Sequence, residues 1–238
     1  MNQPTRVEEI SATLRDEILR GQYRMGERLP SERDLAARFE VNRGAIREAL
    51  KVLEQLGITA ITPGGARIQP IEQASLDILG HLVDLQSIPD PTLIVHLLEV
   101  LGALISMSAR TALDAASDEQ RRDMQSIVEK MLKNPSTDNH DNWKSLGSLF
   151  AEINNNLVLR LILNGLKTNF ADRLNQQKLM PIDQKQNMEI FSQIAKSLDN
   201  KDSTKLANAI NDHFELLIKN ISKYSEQTPR TIENDKRE

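Results

Sequence analysis

Hydrophobic residues recur at three- and four-residue spacing along most of the chain, which is the pattern of helices that bury one face. Three such segments occupy the first part of the chain: residues 7–20, a short segment that begins at Ser31, and residues 43–56. Gly21 and Gly57 follow the first and third segments, at the position where a helix commonly ends. The pattern therefore predicts three short helices, the last two joined by a tight turn.

The pattern changes after the third helix. Residues 58–62 are short and rich in β-branched side chains, Pro63-Gly64-Gly65 after them is a turn signal, and residues 66–69 are the returning segment. This predicts a small β-hairpin. A capped helix-turn-helix followed by such a hairpin is the order of elements in a winged helix-turn-helix domain.

From residue 71 onward every segment has helical spacing and none alternates as a strand does. The predicted helical segments are 73–87, 92–115, 118–133, 142–175, 183–199 and 203–222. Prolines mark breaks between them. The run Asn154-Asn155-Asn156 should bend or break the longest segment, because asparagine side chains compete with helical backbone hydrogen bonds.

The fold class that follows is mainly α, with an N-terminal winged helix-turn-helix and a C-terminal all-helical bundle. We place the first domain at residues 1–70 and the bundle at residues 71–222. Residues 223–238 are polar and aperiodic, which predicts a disordered tail.

Charge is distributed unevenly between these parts. The net charge is −4, but residues 1–70 carry 11 basic and 10 acidic side chains, whereas the remainder carries 19 basic and 24 acidic. A near-neutral domain can bind DNA when its arginines are gathered on one face. The acidic surplus then belongs to the helical bundle.

Composition excludes several function classes. The chain has no cysteine, which excludes disulfides, thiolate metal sites and a cysteine nucleophile. No Ser-His-Asp arrangement or phosphate-binding glycine loop can be argued, so we do not expect an enzyme. The first ten residues lack a signal-peptide apolar run, and no stretch approaches the roughly 20 apolar residues of a membrane span, so a cytoplasmic location is expected.

The third predicted helix separates its residues into two faces. Its apolar residues fall on one face, while Arg43 and Arg47 lie one turn apart on the other. Arginine can donate in pairs to guanine O6 and N7, or grip phosphates. Taken singly, Arg33, Arg43 or Arg47 is equally consistent with ordinary surface charge. The combination of capped turn, arginine-bearing helix and glycine-rich hairpin is what indicates DNA binding, although it leaves open which arginine reads a base.

This first domain resembles the GntR family of bacterial transcription regulators. The resemblance is carried by GERLPSERDLA over 26–36 and VNRGAIREAL over 41–50, and it continues to the wing glycines. It implies that operator DNA is contacted by Arg33, Asn42, Arg43, Gly44, Ala45, Arg47, Gly64 and Gly65. Gly44 would let the helix start approach DNA closely, and the two wing glycines would enter the minor groove.

The second part resembles, more loosely, the effector domain of the FadR subgroup. The residues that carry it are SLDIL over 75–79, ARTA over 109–112 and LILNGLK over 161–167. The resemblance implies an effector-binding and dimerisation bundle. The expected protein is then a homodimer that binds a double-stranded DNA operator under the control of a small-molecule effector.

Many sensors of this subgroup bind a metal through one aspartate and three histidines. In the best register those positions fall on Trp143, Gly147, Phe191 and His213, so only His213 survives as a ligand. We therefore expect no metal and no cofactor, because a lone histidine is not a metal site. Without other ligands, His213 is expected to be a partly buried core histidine that faces a polar neighbour.

Loss of the metal is also a feature of the acyl-CoA-binding branch of the subgroup, which makes long-chain acyl-CoA the leading effector candidate. A pocket for an acyl chain would be lined by Leu101, Ile105, Phe150, Ile153, Leu161 and Phe191, with His213. The same residues are also consistent with plain core packing. Departures from that branch at Leu101, Asp212 and Lys219 keep two alternatives open: a regulator that binds DNA without sensing a ligand, and one that senses a small carboxylate.

Overall fold

The structure is a computed structural model of the chain, described here over residues 4–85, 90–135, 139–166 and 184–227. It divides into two compact units, Met1–Pro89 and Asp90–Glu238. The described elements of the first unit are α1 (Arg6–Leu19), α2 (Glu32–Arg38), α3 (Arg43–Gln55), β1 (Thr59–Thr62), β2 (Gly65–Ile68), a 3₁₀ turn (Ile71–Gln73) and α4 (Ile78–Asp84). Those of the second are α5 (Pro91–Ala115), α6 (Asp118–Lys133), α7 (His140–Ile153), α8 (Leu157–Leu166), α9 (Gln184–Asp199) and α10 (Ser203–Gln227).

The first three helices all begin at a side-chain cap. Thr5 and Glu8 form a reciprocal capping box at the start of α1. The Ser31 hydroxyl accepts the Asp34 N–H at 3.2 Å, and the side-chain Oδ1 of Asn42 accepts the Ala45 N–H at 2.9 Å. Each cap satisfies an amide that has no partner within its own helix, which fixes where the helix begins. The predicted starts of α2 and α3 are confirmed, whereas the helix predicted from residue 73 begins at Ile78, after the 3₁₀ turn.

A single apolar core holds the first unit together, with α1 and α2 packed against α3. Its fully buried side chains include Ile10, Leu14, Leu35, Ile46 and Leu53. The core extends past the hairpin to α4, because Ile78 is buried in it and Leu82 packs against it. The compact units therefore divide at residues 89 and 90, whereas the predicted boundary lay near residue 70.

The predicted hairpin is confirmed, with Thr59 opposite Ile68 and Thr62 opposite Gly65 in antiparallel register. The connector between α1 and α2 lies along the free edge of β2. The Leu29 N–H donates to the Ala66 carbonyl at 2.9 Å, and the Ile68 N–H donates to the Glu27 carbonyl at the same distance. The strand β2 is thus paired with β1 on one side and with the connector on the other.

The second unit is a helical bundle organised around α5. This helix packs against α10, α7 and α8, while α6 packs against α7 and α9. The chain breaks between α7 and α8 at the predicted asparagines: Asn155 has a φ of +48°, and the Asn156 side chain accepts the Leu159 N–H at 3.0 Å. The parts of the predicted helices within 167–183 lie outside the described residues.

Two predictions for this unit need correction. The predicted tail began at residue 223, but α10 continues to Gln227, and residues 228–238 lie outside the described part of the chain. Within the described residues, α5 is the one helix long and apolar enough to cross a membrane by length and composition, contrary to the expectation that no stretch comes near this. Ile94, Leu97 and Leu98 on α5 are buried inside the bundle, as in a core helix.

Candidate nucleic-acid interface and aromatic cluster

The helix α3 has a buried face and an exposed face, as predicted. Ile46, Ala49 and Leu53 have no exposed area, whereas Arg43 and Arg47 are exposed on the opposite side. The apolar face anchors α3 against α1 and α2. The arginine face is therefore held rigidly toward solvent, as a surface that contacts a partner requires.

The first turn of α3 is assembled around Asn42. Its side chain accepts the Ala45 N–H, while Gly44 lies beside it: a Cβ on Gly44 would come within 3.0 Å of the Asn42 Oδ1. Asn42, Arg43 and Gly44 are all exposed. The helix thus presents its positive N-terminal end with almost no side-chain bulk in front of it, a favourable arrangement for a phosphate.

The three predicted arginines differ in their partners. Arg33 lies 3.5 Å from the Asp34 carboxylate and is 78% exposed at its side chain. Arg47 donates from Nε to the Glu32 carboxylate at 2.8 Å. No ion pair of Arg43 is found among the described residues, which leaves its guanidinium available.

Glu32 was missed by sequence reasoning. It occupies the first position of α2, where an acidic residue is already explained as a helix-start signal. Because the helix start already explained this glutamate, its contact with Arg47, fifteen positions further along the chain, was not predicted. No pattern in the sequence indicates which arginine a glutamate at this position will hold.

The wing turn carries the two predicted glycines. Gly65 has a φ of +107°, a conformation that side chains rarely adopt, and its carbonyl accepts the Thr62 hydroxyl at 2.8 Å. Gly64 is exposed at the tip. Two arginines that were not predicted, Arg28 and Arg67, lie directly beside this turn.

The second unit contains a cluster of aromatic rings around His213. The Trp143 ring stacks on the His213 ring with centroids 4.3 Å apart and planes at 25°. Phe191 lies 6.1 Å from Trp143, and Phe214 packs edge-on against His213 at 5.7 Å. Three of the four positions assigned to metal ligands by the subgroup resemblance, Trp143, Phe191 and His213, therefore meet in space, whereas nothing lies within 4 Å of a Cβ added at Gly147.

The chemistry of these positions does not fit a metal. Tryptophan and phenylalanine supply no ligand, and no group of three or more potential ligands occurs among the described residues. His213 is 6% exposed, and burial lowers its pKa from 6.5 to about 3, so the ring is neutral at ordinary pH. Its Nδ1 is buried and has no hydrogen-bond partner, so the polar neighbour expected for His213 is not found at this atom.

The predicted pocket residues occupy different environments. Phe150 and Phe191 have no exposed area, and Leu101 has 9%. Ile105 and Ile153 are half-buried on α5 and α7, which pack together. Leu161, predicted to line the same pocket, is 61% exposed on α8 and is not part of this buried group.

Comparison with known proteins connects these features to described families. Residues 6–67 match the family described as "Bacterial regulatory proteins, gntR family". Residues 96–216, about half of the chain, match the FCD domain. The two matches fall within the two compact units.

Several curated proteins are similar to parts of the chain. An uncharacterized HTH-type transcriptional regulator of Mycobacterium tuberculosis is 32% identical over 115 residues, covering 47% of this chain and 46% of that protein. The HTH-type transcriptional repressor NanR of Escherichia coli is 33% identical over 115 residues, covering 48% and 43%. The probable transcriptional regulator PhnF of Escherichia coli is 54% identical over 54 residues, covering 23% and 22%. The chain thus matches less than half the length of each of these relatives.

A solved structure extends the likeness to the whole fold. Lar, which controls expression of the Listeria monocytogenes agr system, superposes with a TM-score of 0.56 at 16% identity, covering 94% of this chain and 99% of that one. At this identity the match shows a shared fold. The relatives are regulators and not enzymes, in agreement with the expectation from sequence. With both of its units matched, the chain belongs to the GntR family of bacterial regulatory proteins and carries an FCD domain as its second part.

Proposed function

We propose that this protein is a cytoplasmic, DNA-binding transcription regulator whose recognition helix is α3. The observation that carries the proposal is the geometry of that helix: a buried apolar face, an uncrowded N-terminus capped by Asn42, and the exposed Arg43 and Arg47 on the outer side. Arg33 and the wing glycines Gly64 and Gly65 complete the predicted contact set. Family membership supports this assignment.

The protein is proposed to act as a homodimer, each subunit placing one α3 in a half-site of a short palindromic operator. The second unit would bind a small effector and change the spacing or mobility of the two recognition helices. The family match to an FCD domain supports an effector role. The name of the relative NanR is that of a repressor, which supports a repressor here.

Long-chain acyl-CoA remains the effector candidate from the FadR resemblance, with a small carboxylate as the alternative. The aromatic cluster favours an apolar surface for the effector, because Trp143 and Phe191 occupy positions where the subgroup pattern has the aspartate and a histidine. The other alternative is a regulator that binds DNA without sensing a ligand, in which Phe150 and Phe191, which have no exposed area, are plain core.

DNA binding is tested by selecting duplexes from a randomised pool with the wild-type protein and measuring their affinity by fluorescence anisotropy. Arg43→Ala should weaken binding to the selected duplex by about 1–3 kcal/mol if Arg43 makes a bidentate base contact. Arg122→Ala, which removes an exposed arginine from the second unit, is the matched control and should bind as wild type. Unchanged affinity in Arg43→Ala would contradict the assignment of Arg43 as a DNA contact.

The effector and the oligomeric state are tested together by native mass spectrometry of freshly purified protein. A dimer that carries the mass of an acyl-CoA supports the fatty-acid candidate and gives its chain length. A dimer that carries a metal ion contradicts the register that left His213 alone. A bare dimer, with no thermal stabilisation by added acyl-CoA or small carboxylates, supports the regulator that does not sense a ligand.

A further inference from the structure

Two arginines face each other across the edge of the wing. Arg28, on the connector before α2, forms an antiparallel bridge with Arg67 on β2. Residues directly opposite in an antiparallel pair place their side chains on the same face of the sheet. Both side chains are exposed. The pairing therefore places both arginines on one solvent-facing side of the wing, with the Arg28 guanidinium beside Gly65 and the Arg67 guanidinium beside Gly26.

These two charges have no acidic partner among the described residues. Five of the ten arginines of the first unit, Arg6, Arg15, Arg33, Arg38 and Arg47, each form an ion pair with a carboxylate. Neither Arg28 nor Arg67 does so, although Glu27 is adjacent in sequence: its carboxylate accepts the Arg24 backbone N–H instead. Both guanidinium groups are therefore without a neutralising carboxylate among the described residues, which leaves their charge available to an anion.

The position of Arg28 is fixed by the wing itself. A Cβ on Gly65 would lie 2.7 Å from the Arg28 Nε and 3.1 Å from its Nη2, so the guanidinium rests in the space that the missing side chain leaves. Arg67 is held separately, since its Nη1 donates to the Gly26 carbonyl at 3.0 Å. The absence of a side chain at Gly65 therefore allows both the backbone conformation of the turn and the position of the Arg28 guanidinium.

We propose that Arg28 and Arg67 form a phosphate-binding pair at the base of the wing, in which each guanidinium contacts one backbone phosphate of duplex DNA on each subunit. The pair has the requirements of such a site: two planar donors on a common face, no competing carboxylate, and a rigid attachment to the wing turn. It rests on the proposed function and adds to it a sequence-independent contact that anchors the wing.

The test measures how affinity for duplex DNA depends on salt. Each phosphate contact contributes about 0.9 to the slope of log K against log salt concentration. The probes are the duplex selected by the wild-type protein and an unselected duplex of equal length. The variants are Arg28→Gln, Arg67→Gln and the double variant, with Arg28→Lys to keep the charge and Arg122→Gln to remove one charge from the second unit.

We expect the magnitude of the slope to fall by about 0.9 per bound subunit in each single Gln variant and by about twice that in the double variant, on both duplexes. Arg28→Lys and Arg122→Gln should retain the wild-type slope. If Arg28 only packs on the wing, Arg28→Gln will lower the melting temperature and the affinity while the slope stays unchanged, and this result overturns the proposal. An equal fall in Arg122→Gln overturns it too, because the effect would then be one of net charge.

Failure of the pair and failure of the proposed function give different results. If the wild-type protein binds neither duplex, both proposals fall. If the wild-type protein binds and Arg43→Ala weakens it, but the slopes of the Arg28 and Arg67 variants are unchanged, only the phosphate-binding pair is wrong.

Discussion

Arg47 on α3 donates its Nε–H to the carboxylate of Glu32 on α2 at 2.8 Å. The side chains are 63% and 37% exposed, so the pair lies at the surface and contributes at most about 1 kcal/mol to stability. Its value is geometric: with Nε engaged, the two terminal amino groups of Arg47 are free to point outward. Glu32 is thus a positioning residue for an arginine of the proposed recognition helix.

Removal of Glu32 should change specific and non-specific binding in opposite directions. Glu32→Ala releases the Arg47 side chain, which should weaken binding to the selected duplex severalfold. It also removes a negative charge close to the proposed DNA surface, which should strengthen binding to an unselected duplex. Anisotropy titrations of both duplexes at the same salt concentration give the ratio of specific to non-specific affinity.

Glu48→Ala is the matched control, since Glu48 is an exposed carboxylate on α3 that pairs with Lys51 at 2.9 Å. It should leave the ratio of specific to non-specific affinity closer to wild type than Glu32→Ala does. An equal change of both affinities in Glu32→Ala would show that Glu32 acts through charge alone and does not position Arg47.

Loss of the Asn42 cap should destabilise the first unit. Asn42→Ala removes the acceptor of the Ala45 N–H and should cost about 1 kcal/mol in the free energy of unfolding. Asn42→Asp keeps an acceptor oxygen and should restore most of this stability. Urea denaturation followed by circular dichroism measures both, and equal stability of Asn42→Ala and wild type would contradict the cap.

The helix α5 packs closely against α10 at Gly102, where there is no room for a side chain. A Cβ at this position would lie 2.9 Å from the Phe214 Cβ and 3.0 Å from its Cγ, atoms too close to the backbone to move away cheaply. Gly102→Ala should therefore lower the free energy of unfolding by about 1–2 kcal/mol, since overpacking outweighs the gain in helix propensity. Thermal denaturation of the full chain checks this.

Gly147 on α7 provides the control for Gly102, because nothing lies within 4 Å of a Cβ added there. Gly147→Ala should stabilise the protein by about 0.5–1 kcal/mol, as alanine replaces glycine inside a helix. Stabilisation by both substitutions would show that α5 and α10 are not in close contact at Gly102.

The buried His213 should make the second unit sensitive to acid. Its pKa falls from 6.5 to about 3 on folding because burial disfavours the charged ring, so below pH 6.5 the unfolded state binds more protons than the folded state. The stability associated with the neutral ring is complete above pH 6.5 and is lost as the pH falls toward 3, by about 1.4 kcal/mol per unit over most of that range.

His213→Phe should remove this dependence, since phenylalanine keeps the stacking on Trp143 without a titrating group. The free energy of unfolding, measured in urea between pH 7.5 and pH 5, should fall with pH in the wild-type protein and much less in the variant. The exposed His96 gives the control His96→Gln, which should behave as wild type. Parallel pH profiles for wild type and His213→Phe would contradict the burial of an uncharged ring.

The sequence by itself determined the local elements of this protein. The caps at Ser31 and Asn42, the apolar spacing of α3 and the asparagine break between α7 and α8 all act within a few residues, so the pattern was sufficient to place them. The two faces of α3 follow from the same local periodicity.

The tertiary structure alone decided which distant residues meet. Arg47 finds Glu32, Arg28 lies opposite Arg67, and α4 joins the first unit through Ile78. These contacts depend on the register between segments and on the angle at which elements pack, to which residues far apart in the chain contribute together. Periodicity and capping report only what each segment does on its own, so the wing-edge arginines and the partner of Arg47 became visible only in the folded chain.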